Sequence, residues 1–248
     1  MSESRTTESI RWRGGQVTRI EALTDAVFGF AITLLVVSLE VPQTFAELMG
    51  MMRGFVAFAP TFAMLILVWT YHYRLFSRYD LEDAWTVVLN SLLLFVVLFF
   101  VYPMKFVAAF LLGGVRGAFT SWEQVPLMMA IYGFGFMAVF AVFAAMYRHA
   151  YRLRDRLGLT AAEAHEARAK IAECLVMVGV GLISVLCALL VPGPAASPIS
   201  GFSYFLVPFA QWYVARRMHR LAPTDAATAV PAHVPVEPAE PMPSIHTS

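Results

Sequence analysis

Several polar and charged residues lie at the mouth of the first long apolar run of this chain, in the segment Arg19-Ile-Glu-Ala-Leu-Thr-Asp25. The apolar run follows directly, at 26–41. Ionisable groups at the entrance of a membrane helix are costly, so they are usually paired, face a water-filled space or serve a function. The chemistry available here is charge pairing, hydrogen bonding or proton transfer at the mouth of a membrane segment.

Asp25 needs a partner from outside its own helix. Arg19 lies about 120° away around the helix axis, and Glu21, at i−4, carries the same charge. His72 is the best candidate, because an imidazole bonds a carboxylate and titrates near neutral pH, and Asn90 can add an interhelical hydrogen bond. Three interpretations of Asp25 stay open: a helix-start carboxylate favoured by the dipole, a structural network at a pore mouth, or a proton relay. A solvated His72 and a packing amide at Asn90 are the simpler alternatives for those residues.

The composition is that of a membrane protein. Apolar residues make up 59% of the chain and charged residues 14%, with a mean hydropathy of +0.66, whereas soluble domains carry roughly a quarter charged residues. The net charge of +1 gives no basic excess for nucleic acid. Cys174 and Cys187 lie in one apolar run, about 20 Å apart along a straight helix, which is too far for a disulfide. No nucleophile or metal-ligand cluster is evident, so we expect neither an enzyme nor a cofactor or metal site.

Six apolar segments approach the length needed to cross a bilayer. They lie at about 22–41, 53–72, 85–104, 126–146, 171–191 and 199–215. Continuous apolar runs satisfy their backbone as helices, so the predicted fold is all-α with six transmembrane helices. Pro60 lies inside the second segment. The capping-box pattern Thr160-Ala-Ala-Glu163 predicts that the fifth helix starts near Thr160, before the membrane.

The loop charges predict the orientation. With the N-terminus in the cytoplasm, all Lys and Arg residues except Arg53, Lys105 and Arg116 fall on the cytoplasmic side, as the positive-inside rule requires. We therefore expect a multi-pass protein of a bacterial-type inner membrane with both termini cytoplasmic. The predicted organisation is a cytoplasmic segment at 1–18, a six-helix transmembrane domain at 19–220 and a Pro-rich tail at 221–248. The composition of that tail predicts disorder.

The segment from Arg19 to Asp25 resembles the Arg-x-x-x-Phe-Ser-Asp signature of the lysosomal-type potassium channel family, transmembrane protein 175 and its shorter bacterial relatives. The resemblance covers roughly 15–217; its specific part is this motif, and the other helices match mainly in layout. Further positions that carry it are the run from Ala26 to Val37, the pair Val41-Pro42, Trp69, His72, Leu75 and Phe76 at the end of the second segment, and Asn90 and Pro103 in the third.

The resemblance implies a potassium-preferring cation channel, a homotetramer of six-helix subunits in which the first helix lines the axis. Potassium and other monovalent cations and the lipid bilayer are then its partners. The resemblance further implies a hydrophobic constriction five residues after the motif aspartate, at Phe30, in a stripe with Ala26, Thr33 and Val37. The residues expected to form a structural charge and hydrogen-bond network are Arg19, Thr24, Asp25, His72 and Asn90.

The chain departs from the signature at three positions. Leu23 replaces the motif Phe, Thr24 replaces Ser, and Phe30 replaces an aliphatic constriction residue. A ring of Phe30 side chains could gate by dewetting, and Thr33 could offer hydroxyl oxygens to a partly dehydrated cation. The ordinary alternatives are a packing or lipid-facing Phe and a Thr that bonds its own i−4 carbonyl.

Other functions stay open from the sequence. The chain lacks the Thr-Val-Gly-Tyr-Gly filter of ordinary potassium channels, and Val178-Gly-Val-Gly181 lies within the fifth helix, where small residues favour helix packing. A proton-coupled small-solute carrier should show internal repeats with broken helices, and no clear repeat is present. A membrane enzyme and a non-conducting or structural relative are the remaining alternatives.

Overall fold

The chain forms long helices joined by short connections, in a computed structural model that describes residues 18–37, 43–111, 121, 124–191 and 195–220. No strand occurs among those residues, so the all-α prediction is confirmed. The expectations for 1–17, Val41-Pro42, Arg116 and 221–248 lie outside them. The helices are α1 (Arg19–Val37), α2 (Phe45–Tyr79), α3 (Ala84–Leu111), α4 (Gln124–Arg152), α5 (Ala161–Leu190), α6 (Ala196–Phe202) and α7 (Leu206–Arg220), with a 3₁₀ turn at Ser203–Phe205.

Three of the described helices contain stretches long and apolar enough to cross a membrane: Ala84–Val107, Gln124–Arg152 and Ala161–Leu190. They correspond to the third, fourth and fifth predicted segments. Helices α1 and α2, and α6 together with α7, occupy the positions of the other three. The count of six spans stays a prediction.

Three helices, α1, α2 and α5, begin with the same local device. Thr44 and Thr160 each accept a hydrogen bond from the backbone N–H three residues later, and Glu47 and Glu163 bond back to the cap. These reciprocal bonds satisfy N–H groups that a helix start otherwise leaves unpaired. The predicted start of α5 is confirmed, and α2 begins earlier than the second apolar segment because its cap lies upstream of that segment.

The last predicted segment is helical throughout, but Ser203–Phe205 near its centre form a 3₁₀ turn. Pro208 lacks an N–H and its ring crowds the preceding turn, so a regular α-helix is disfavoured there and the backbone tightens into the 3₁₀ turn. The Oγ atoms of Ser184 and Ser200 lie 2.8 Å apart, and Ser203 Oγ donates to the Ser200 carbonyl at 2.6 Å. All three serines are buried, and the hydrogen bond between Ser184 and Ser200 fastens this segment to α5.

Helices α4 and α5 form an antiparallel hairpin at the centre of the subunit. A Cβ atom at Gly181 would lie 3.1 Å from Met137 Cβ and 3.3 Å from the Gly133 carbonyl oxygen. Such small residues let two membrane helices approach closely. Helix α3 packs against α4, α6 and α7 pack on α5, and α1 packs on α2 and α3. The hairpin is thus the scaffold, and α1 lies at the periphery of the subunit.

Candidate functional site

Helix α1 has one buried face and one exposed face. Thr24, Phe28 and Ala31 are 0%, 2% and 3% exposed, and their spacing of four and three residues places them on one side of a helix. Phe30, on the other side, is 63% exposed. The first helix therefore packs on the rest of the chain through a narrow strip.

The predicted stripe lies on the exposed face. Ala26, Phe30 and Thr33 are all exposed in the subunit. The backbone of Val37 ends α1, and its side chain lies outside what the structure describes. Thr33 Oγ1 donates to the Gly29 carbonyl at 2.7 Å, the ordinary behaviour of a membrane threonine. Its oxygen keeps its capacity to accept, because a hydroxyl has one donor and two lone pairs.

A chain of buried hydrogen bonds anchors the other face of α1. Asn90 Nδ2 donates to Thr24 Oγ1 at 2.9 Å, and Thr24 Oγ1 donates to the Ile20 carbonyl at 2.9 Å. Asn90 Oδ1 lies 3.0 Å from His72 Nε2. Since an amide oxygen only accepts, His72 carries a proton on Nε2. Thr24, His72 and Asn90 are 0%, 1% and 2% exposed, so direct bonds between buried side chains link α1, α2 and α3.

Asp25 bonds to a residue that we did not expect. Trp69 Nε1 donates to Asp25 Oδ1 at 2.7 Å, while the His72 ring stacks on Phe76 with centroids 4.4 Å apart. Asp25 is exposed in the subunit and lies about 100° around the helix from Thr24. It therefore reaches the edge of α2 instead of the buried histidine. The sequence feature that could have identified Trp69 as this partner is its position about one turn before His72, on the same face of α2.

Arg19 lies apart from these hydrogen bonds. It is the first residue of α1 and is exposed. The cap just before it is formed by Thr18 and Glu21, whose backbone N–H groups and side chains bond reciprocally at 2.8 and 3.2 Å. The structure thus brings Thr24, His72 and Asn90 together, places Asp25 beside them on Trp69, and leaves Arg19 at the entrance of the helix.

A second polar cluster joins the α2–α3 connection to the end of α4. Both carboxylate oxygens of Asp83 lie 2.9 Å from His149 Nε2, and Thr86 Oγ1 donates to Asp83 Oδ1 at 2.5 Å. Partial burial by itself raises the pKa of Asp83, but the bonds from Thr86 and His149 outweigh it and hold the pKa below its usual value. Nearby, Arg78 Nε donates to Glu166 Oε2 at 2.9 Å, joining α2 to α5.

No metal centre is built by the residues that the structure describes, since no three His, Cys, Asp or Glu side chains converge there. Cys174 and Cys187 are both free thiols. The polar geometry around α1 consists of hydrogen bonds that position a helix.

Comparison with known sequences gives a consistent set of relatives. A family model described as the endosomal/lysosomal potassium channel TMEM175 matches residues 19–100, from the start of α1 into α3. A potassium channel of Marivirga tractuosa is 41% identical over 209 residues, which cover 79% of this chain and 85% of that protein. A potassium channel of Chamaesiphon minutus is 32% identical over 159 residues, covering 61% and 73% respectively.

Comparison of folds extends the likeness past α3. The structure resembles that of the potassium channel MtTMEM175, solved as a variant in complex with a nanobody–MBP fusion protein, with a TM-score of 0.76 and 35% identity over 87% of this chain and 99% of that one. It also resembles a lysosomal potassium-selective channel TMEM175 homolog from Chamaesiphon minutus, with a TM-score of 0.54 and 26% identity over 81% and 96%.

Proposed function

The chain belongs to the endosomal/lysosomal potassium channel TMEM175 family, and from that premise we propose that it conducts potassium passively through a pore lined by α1. The observation that carries this proposal is the division of α1 into two faces. One face is fixed to α2 and α3 by the Thr24–Asn90–His72 network, and the opposite face exposes Phe30. A helix anchored on one side and bare on the other is suited to line an axis shared by several subunits.

The proposed assembly is a homotetramer. Four copies of α1 around one axis would cover the exposed stripe of Ala26, Phe30 and Thr33, which a single subunit leaves open. A ring of Phe30 side chains would then be the narrow hydrophobic constriction, where conduction is controlled by the exclusion of water. The Asp25–Trp69 hydrogen bond would fix the rotation of α1 at the entrance of that pore.

The Thr33 ring is the proposed contact for a partly dehydrated cation. The Thr33 hydroxyl donates its hydrogen bond to the Gly29 carbonyl. Its oxygen lone pairs would then be available to face the axis. Val37 would continue the lining one turn further along α1. In the carbonyl filters of potassium channels, rings of oxygen atoms replace the hydration shell of the ion, and the Thr33 ring would make a comparable contact.

The proposed setting is a bacterial-type inner membrane, with six spans per subunit and both termini in the cytoplasm. The support is the uneven distribution of basic residues. The exposed arginines Arg148, Arg152 and Arg156 lie at the end of α4 and in the connection to α5. The end of α7 lies on the same side, because Met218 O is 2.9 Å from His165 Nε2 near the start of α5. The positive-inside rule places such ends in the cytoplasm.

The test is potassium flux from liposomes that contain the purified protein, with sodium and caesium measured in parallel. Phe30→Ala removes the proposed constriction and should raise potassium flux several-fold. The matched control is Phe134→Ala on α4, because Phe134 is 62% exposed and Phe30 is 63% exposed. Flux in that control should equal the wild type, since Phe134 lies outside the proposed pore.

Two results would overturn the proposal. The first is the absence of cation flux from both the wild type and Phe30→Ala in verified oligomers. The second is flux that saturates with a small solute and does not respond to voltage, as expected of a carrier. An equal change in potassium flux for Phe30→Ala and Phe134→Ala would show that the constriction does not lie on α1.

A further inference from the structure

The last two turns of α7 carry an aromatic and basic surface that the proposed conduction path does not use. It borders an open cavity of about 470 Å³. We refer to it as the α7 patch, and it consists of Trp212, Tyr213, Arg216, Arg217 and Arg220. Three guanidinium groups within five residues, with no acidic residue in the lining, make this surface strongly cationic.

The arginines of the α7 patch lie at the surface, and one of them is positioned by an aromatic ring. The Arg216 guanidinium lies over the Trp212 ring, 4.1 Å from its centroid. Arg216, Arg217 and Arg220 are exposed, and no carboxylate of the described residues forms an ion pair with any of them. By contrast, Arg78 is paired with Glu166. Planar guanidinium groups that stack on an aromatic ring and keep their N–H donors free suit the oxygens of a phosphate group.

The order of side chains along α7 indicates which kind of phosphate-containing molecule this surface suits. Phe209, one turn before Trp212, is 72% exposed, and Trp212 and Tyr213 are 57% and 60% exposed. Phe209, Trp212, Arg216 and Arg220 are spaced by three or four residues, so they share one face. Along about 16 Å of helix, this face passes from an apolar side chain to an aromatic ring and then to cations. The same order is found across half a lipid leaflet, from acyl chain through interface to headgroup.

We propose that the α7 patch binds the phosphodiester headgroup of an anionic phospholipid. Arg216 and Arg220 would hold the phosphate oxygens, Trp212 would lie at the glycerol level, and Phe209 would contact the acyl chain. A free phosphate ion would use the arginines but gain nothing from Phe209 and Trp212. Lipid binding at the outer surface of α7 is a property separate from conduction along α1, and each can fail without the other.

Native mass spectrometry of the full-length protein with added lipid tests this site. Phosphatidylglycerol should bind the wild type more tightly than phosphatidylcholine. The triple variant Arg216→Gln/Arg217→Gln/Arg220→Gln should weaken phosphatidylglycerol binding roughly 10- to 100-fold, as expected for several basic contacts at a membrane surface. The matched control, Arg148→Gln/Arg152→Gln/Arg156→Gln, removes three exposed charges of the same sign and should change binding less than twofold.

Two further variants keep the test decisive if the triple variant is unstable. Replacement of the same three arginines by Lys retains charge and should keep part of the preference, and Trp212→Phe should weaken binding without altering net charge. Equal affinity of the wild type for the two lipids would overturn the proposal. So would equal losses in the α7 and control triple variants, or inorganic phosphate binding as tightly as phosphatidylglycerol.

Discussion

The α4–α5 hairpin and helix α1 are held in the subunit by different means. The hairpin is held by close packing, in which Gly181 brings the backbone of α5 against Met137 and the Gly133 carbonyl. Helix α1 is held by directional bonds, through Thr24 to Asn90 and Asp25 to Trp69. In a membrane, lipid is as apolar as a neighbouring helix, so apolar surface alone fixes neither position nor rotation. Steric fit fixes the hairpin, and hydrogen bonds fix the rotation of α1.

The two regions also differ in how they relate to the family. The TMEM175 family model matches residues 19–100, which contain α1, α2 and the hydrogen-bonded part of α3. The hairpin lies entirely outside that match, although the fold likeness to MtTMEM175 covers 87% of the chain. The polar anchoring of α1 thus lies inside the matched region, and the best-packed scaffold lies outside it.

The largest effect is expected from disturbing the fit of the hairpin. Gly181→Leu forces a side chain against the backbone of α4 and should destabilise the solubilised protein by about 3 kcal/mol. The matched control is Gly179→Leu, two residues earlier on α5, where an added Cβ meets nothing within 4 Å. Thermal unfolding in detergent measures both. Equal losses at the two positions would show that close packing does not hold the hairpin.

A smaller effect is expected from removing the anchor of α1. Asn90→Leu deprives the buried His72 and Thr24 of their partner and should cost about 1–2 kcal/mol. Ser91→Leu is the control, because Ser91 is exposed and bonds only within its own helix. Because α1 and the hairpin are held by different contacts, we expect Asn90→Leu to loosen α1 without unfolding the hairpin. Hydrogen exchange resolved by helix distinguishes this from a uniform loss of protection.

The smallest effect is expected where the hairpin meets the α2–α3 connection, at Asp83 and His149. Because the pKa of Asp83 is lowered by the fold, its contribution is present above the unfolded pKa of about 3.9 and is lost as the pH falls through the folded value. Asp83→Asn should cost less than about 1 kcal/mol at pH 7, and the gap to wild type should close below about pH 4.

The control for that substitution is Asp155→Asn, since the Asp155 side chain is 88% exposed and its nearest cation lies 3.7 Å away. Stability is measured by unfolding in detergent from pH 7 down to about pH 2.5, with the wild type in parallel, so that the range extends well below the unfolded pKa of about 3.9. A cost for Asp83→Asn that stays constant across that range would show that the carboxylate charge contributes nothing to the junction of α2, α3 and α4.

Local signals in the sequence predict the helices well. The start of α5 follows from Thr160 and Glu163 alone, because a capping box acts within one turn. The same pattern at Thr44 and Glu47 starts α2, but hydropathy alone places that start too late. The 3₁₀ turn in the last segment has a local cause in Pro208, and a hydropathy average over the segment does not detect it.

Contacts between helices are harder to predict. Helix α1 is apolar all round, so its periodicity does not select which face is buried, and the partner of Asp25 depends on that rotation. A rotation that buries Thr24 against Asn90 carries Asp25 to Trp69 and away from His72. The stripe of Phe30 and Thr33 is predicted from the resemblance to the family. The periodicity of this one sequence does not distinguish it from the other faces of α1.

The separation of these partners along the chain has a consequence for how the protein is made. Trp69 follows Asp25 by 44 residues, and Asn90 follows Thr24 by 66. During synthesis, α1 emerges first and has neither partner until α2 and then the start of α3 have been added. Gly133 and Gly181 of the hairpin lie on consecutive helices, whereas the bond from Asn90 reaches α1 from a helix that is not its neighbour in the chain. Because of this order of translation, the rotation of the first helix is fixed only once the third helix has entered the membrane.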